Sequence, residues 1–143
     1  MTQPENPSDP PRQRAGHFET LPTDRCISLL SDTTTVGRVA FTGPSGQELL
    51  PVNFVYTDGS IYLATQESSA LSPLADGIAD VAFEVDHIES LSQSGWSVVA
   101  KGHSERVDAI PGRQPRPWAT GDRGLFVKIV PESITGRHVM QRR

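Results

Sequence analysis

Residues 61–74 read IYLATQESSALSPL, and three small hydroxyls, Thr65, Ser68 and Ser69, follow an alternating run from Ile61 to Thr65. A strand end of this kind can hold a phosphate, because each hydroxyl can donate to an anionic oxygen. The same stretch carries Glu67 and no lysine or arginine, so any cation must come from elsewhere in the chain. A second candidate is Pro51-Val52-Asn53, inside the β-type run 47–56. Proline has no amide donor, so it either frees backbone groups to meet a ligand or simply protects a sheet edge from pairing. A third is the run 95–108, where Ser97, Val99, Lys101 and His103 alternate onto one face. That mixed face could line a groove, although Lys101 alone reads better as solvated strand surface. Four histidines, His17, His87, His103 and His138, are scattered. Even with Glu84 and Asp86 near His87, no pair has compact ligand spacing, and no metal site is expected. No serine or cysteine sits in a nucleophile elbow.

The elements that must position these residues are mostly strands. Runs 36–42, 47–56, 61–65, 80–87, 95–108 and 125–130 are rich in β-branched and aromatic residues. Gly43-Pro44-Ser45-Gly46 and Thr57-Asp58-Gly59-Ser60 are turns between them, and Asp-Gly favours the positive φ of a tight hairpin. Gly102 marks a bend or bulge in its long strand. One helix is expected from Thr23 to about Ser31, with Leu21, Cys26, Leu29 and Leu30 on its apolar face. A second, short helix over 68–75 requires Pro73 in its first turn. Hairpins without strand–helix repeats predict a mainly β chain, an antiparallel barrel of six strands with one or two short helices.

The chain has 143 residues, enough for one domain that buries roughly two-thirds of its unfolded surface. Residues 1–16 hold four prolines and little to bury, so they read as a disordered leader and 17–143 as the folded domain. A net charge of −4 makes duplex nucleic acid an unsuitable partner. Cys26 stands alone, which excludes an internal disulfide and suits a reducing cytoplasm. No apolar run is long enough to cross a bilayer, so no membrane association is expected. No Walker loop or dinucleotide glycine fingerprint is present.

Three stretches in order, 37-GRVAF-41 with 51-PVNFVYTDGSIYLAT-65, 81-VAFEVD-86 with 95-GWSVVAKGHSERV-107, and 127-VKIVPESITGR-137, resemble the pyridoxamine 5′-phosphate oxidase-like proteins. These are small actinobacterial-type members of the flavin-binding split-barrel superfamily. The resemblance spans roughly residues 20–138. It implies a six-stranded antiparallel split β-barrel, a homodimer, and two flavin mononucleotides (FMN) held in grooves between the protomers. It also implies an oxidoreductase acting on a small substrate, with the flavin carrying the hydride chemistry.

By the same resemblance, Pro51, Val52 and Asn53 supply main-chain groups along the flavin edge. Thr65, Ser68 and Ser69 match the positions that grip the flavin phosphate. Trp96, with Ser97 beside it, falls near the cofactor or the dimer seam, although a tryptophan at a strand start is more often core or interface packing. Arg137, in a C-terminal signature, either closes over a ligand or caps the barrel. The chain departs from the pattern at Ala70, where relatives carry the phosphate-binding lysine. One charged contact is worth about 1.5–3 kcal/mol, or one to two decades of affinity. Lys101, Arg106, Arg38 and Arg137 are the candidate substitutes, and amides at a helix start could assist.

Two further readings follow. Loss of the lysine allows a cofactor-free or weakly binding split-barrel dimer serving as a binding or structural module. Other relatives bind a deazaflavin or haem in its place.

Overall fold

A computed structural model of the chain describes residues 17–32, 36–115 and 123–140. The 1–16 leader, and residues 116–122 of the run 110–124 rich in Pro, Arg and Gly that precedes the last strand, therefore lie outside the described residues. The elements are β1 (His17–Thr20), α1 (Thr23–Asp32), β2 (Val36–Gly43), β3 (Gly46–Asn53), β4 (Val55–Thr57), β5 (Ser60–Thr65), a 3-10 turn (Ser72–Asp76), β6 (Val81–Glu89), β7 (Ser94–Val107) and β8 (Leu125–Met140).

All strands pair antiparallel, in the order β3-β2-β6-β7-β8-β5-β4, with β1 added to β8. This is a split barrel that does not close, with eight strands among the described residues rather than six. Two differences account for the count. The run 47–56 breaks at Phe54, whose ring turns inward and meets Phe83 edge-on at 4.8 Å. Residues 17–20, to which the sequence assigned no element, pair with Arg137–Met140 as β1.

The last strand also runs ten residues past Val130. Pro131 looks like a stop, yet it sits at a bulge. Lys101 pairs with Ser133 and Gly102 with Pro131, leaving Glu132 as the extra residue. A bulge is where a strand tolerates a proline, since the ladder is already interrupted. Gly102 is required there because a Cβ would overlap the Val130 carbonyl.

Local chemistry fixes the other joints. Asp58 and Gly59 take φ of 51° and 78°, the paired positive values of a type I′ hairpin, between β4 and β5. The 3-10 turn has Pro73 at its start, as its short helical reading required. Cys26, Leu29 and Leu30 of α1 are buried, with Leu21 packed beside them. Phe83, Val85, Val98, Ala100, Val127 and Ile129 form the centre of the core. Ser104 is buried among them and holds the turn in place, donating to the Leu74 carbonyl at 2.7 Å and accepting the Ile78 amide at 3.0 Å. No described helix is long and apolar enough to cross a membrane.

Candidate functional site

Thr65 ends β5 with its side chain buried. Its hydroxyl lies 2.6 Å from that of Ser69, whose Oγ also accepts the Leu71 amide at 3.2 Å. Successive turns bring Ser69 back to Thr65: the Ser69 amide donates to Gln66 and the Ser72 amide to Ser69. Ser68 and Ala70 are exposed on the same bend. The 3-10 turn begins only at Ser72 and lasts five residues. Its start therefore gives no phosphate site of its own, and the expected help from helix amides is not available.

The four candidate cations separate cleanly. Arg106 of β7 opposes Val127, which in turn opposes Leu63 of β5. Opposed residues share a sheet face, and Thr65 shares it with Leu63 two residues earlier. Arg106 thus stands on the side of Thr65, and its guanidinium donates to Glu67 at 3.1 Å. Lys101 is on the other face of the same strand, opposite Ala82 and Ser133. Arg38 contacts Asp86 at 3.3 Å and Glu84 at 3.6 Å. Arg137 opposes Ser97 and Thr20, with its guanidinium 5.0 Å over the Phe18 ring.

The remaining candidates gather on the outer face of the sheet. Pro51 opposes Arg38, Arg38 opposes Glu84, Glu84 opposes Val99, and Val99 opposes Thr135. Ser97, Lys101 and Arg137 lie on this same face by alternation. β3 is an end strand of the sheet, so Pro51 does sit on an edge. Val52 points the other way into the core, and Asn53 is half-buried opposite Val36. Trp96 also leaves the outer face. It is partly buried against the core and stacks near His87, with ring centroids 6.4 Å apart.

Two grooves mark the outer face. One, of about 670 Å³, runs over Ala40, Leu49, Ala82, Lys101 and Glu132. The other, of about 300 Å³, is bordered by Asp86, Ile88, Trp96, Ser97, Arg137 and Val139. Neither includes the bend 65–71. Within one subunit the hydroxyl pair and the outer-face residues therefore form two separate groups.

Two features escaped the reading of the sequence. The Glu67–Arg106 pair joins residues 39 positions apart, and no local pattern signals it. The Arg38–Glu84–Asp86 cluster had a signal, because Glu84 and Asp86 are the polar members of an alternating strand. Burial first, and then the adjacent Asp86, raise the Glu84 carboxyl above its ordinary range, while Arg38 offsets part of this. Burial likewise raises the Cys26 thiol, which keeps it protonated and a poor nucleophile.

The family model for pyridoxamine 5′-phosphate oxidase matches residues 22–138. The chain belongs to that family. Among its relatives, the uncharacterised protein Rv0080 of Mycobacterium tuberculosis is 31% identical over 137 residues, covering 90% of each chain. The FAD binding protein of Mycobacterium smegmatis has 25% identity and a TM-score of 0.64, over 85% of this chain and 98% of that one. An FAD and heme binding protein of the same organism, 17% identical with a TM-score of 0.62, shares the fold over 87% of this chain and 74% of its own.

Proposed function

We propose that this oxidase-family chain is a homodimeric oxidoreductase that binds a flavin nucleotide, FMN in the first instance, and acts on a small substrate. The observation that carries the reading is the outer sheet face. It joins an open groove of about 670 Å³, within the size range of small-molecule sites, to a proline-marked end strand and to exposed Leu49. The groove has an apolar floor of Ala40, Leu49 and Ala82 with charged residues at its margin, and a second copy of the chain would turn the open grooves into walled clefts. The FAD-binding relative supports a flavin as the occupant.

The residues present fit such a group at both ends. The ring of a flavin needs apolar walls and a few fixed polar groups at one edge. Ala40, Leu49 and Ala82 offer the walls, and the end strand β3 at Pro51–Asn53 offers backbone groups. Ser97, Lys101 and Arg137 lie on the same face, where they orient the polar edge or a substrate. The mutually bonded Thr65–Ser69 pair keeps one hydroxyl donor for the phosphate, and Ser68 stands exposed next to it. When bound, the flavin supplies hydride or electron transfer; the chain binds it, orients it and excludes water.

Titrating purified protein with riboflavin, FMN, FAD, a deazaflavin and haem, followed by tryptophan fluorescence, tests this reading. Saturable binding of a flavin nucleotide is expected. Binding of haem or deazaflavin alone would replace the cofactor assignment. Ala70 together with Glu67 favours a second reading, a cofactor-free dimer used as a binding module; a flat response to every cofactor would select it.

A further inference from the structure

The bend that carries Thr65 and Ser69 has alanine at residue 70, where the family pattern has lysine, and a glutamate at residue 67. A flavin phosphate entering it would meet two hydroxyls and a carboxylate. That arrangement repels a dianion unless a cation is close. Among the four candidates identified by sequence, Arg106 alone is placed at this bend, through its 3.1 Å contact with Glu67.

Resting on the flavin reading above, we propose that Arg106 is the phosphate cation of this site and that Glu67 is the counter-ion it releases when the phosphate arrives. The side chain comes from β7, two strands away from β5, so a neighbouring element supplies a charge that the family pattern carries on the bend itself. A guanidinium suits the exchange. It has five donors in a planar fork, enough to leave one carboxylate oxygen and take two phosphate oxygens. The pair is solvent-exposed on both sides, at 57% for Arg106 and 71% for Glu67. Such pairs are worth at most about fivefold in an equilibrium, whereas a charged contact to phosphate is worth about 10–100-fold. Exchange therefore favours the ligand. Arg38 and Lys101 are excluded from the role because both stand on the outer face, and Arg38 is engaged by Glu84 and Asp86. Arg123 is the competing arginine, two residues ahead of Leu125, the register partner of Thr65.

The test compares binding of riboflavin, which has no phosphate, with FMN and FAD, which do. Arg106→Ala is expected to weaken FMN and FAD by about 10–100-fold while riboflavin changes by less than about twofold. Arg106→Lys should recover part of the loss, and Glu67→Gln should tighten FMN by up to about fivefold without affecting riboflavin. Arg123→Ala serves as the control arm. If wild type binds FMN and Arg106→Ala binds it equally well, or Arg123→Ala carries the loss instead, the assignment is overturned and the flavin reading stands. If Arg106→Ala weakens riboflavin as much as FMN, the arginine supports the fold and the assignment is again overturned. If wild type binds none of the three, both fall together.

Discussion

At the scale of single residues, the charge pattern around Glu67 and Glu84 carries the sharpest predictions. Ala70→Lys restores the lysine of the family pattern beside Ser69. It should tighten FMN by about 10–100-fold, read by fluorescence titration, if the site binds phosphate as argued; an unchanged constant would show that residue 70 does not face the ligand. Glu84 carries a different prediction. Its folded pKa is raised, so the folded state favours the protonated acid. The stability it contributes is complete below the ordinary carboxylate range and is lost as pH rises through the raised value. Glu84→Gln should therefore melt above wild type at neutral pH, and the gap should close under acid conditions. Thermal melts across that range check the sign, and a gap that widens toward low pH would refute it.

Elements were legible in the sequence wherever their cause is local. Asp58-Gly59 announced its hairpin, the alternation of Val81, Phe83 and Val85 announced a strand with one buried face, and Pro51 announced an edge. The parts that were not legible depend on distant partners. Pro131 reads as a terminator until Gly102, far away in sequence, is seen across the bulge from it. The run 17–20 becomes a strand only because the extension of β8 offers it an edge. The same limit applies to the site. Thr65, Ser68 and Ser69 were readable as a hydroxyl cluster, while the closeness of Arg106 to Glu67 depends on the register of β7, β8 and β5. The bulge can be tested directly. Gly102→Ala should cost about 3 kcal/mol in urea unfolding, because the clash is with backbone rather than a movable side chain. A loss within about 0.5 kcal/mol, the range of an ordinary surface change, would show that the bulge relaxes freely.

For the whole molecule, the two halves of the candidate site are the main constraint. The hydroxyl bend and the outer-face grooves are separate in one subunit, while a flavin nucleotide has a ring and a phosphate that must be held together. Under the proposed dimer, a second copy laid across the outer face would reconcile them, with each ring between protomers. Leu49, 71% exposed on the end strand, is where such a seam would be most sensitive. Leu49→Asp should shift the chain toward monomer and weaken FMN in parallel, as followed by size-exclusion chromatography and titration. The most direct measurement is sedimentation velocity of the wild-type protein with FMN, recorded at both the protein and the visible flavin absorbance. The account predicts one boundary at twice the 15.5 kDa chain mass, carrying the flavin. A boundary at the single-chain mass, or flavin left behind in the unsedimented solution, would contradict it.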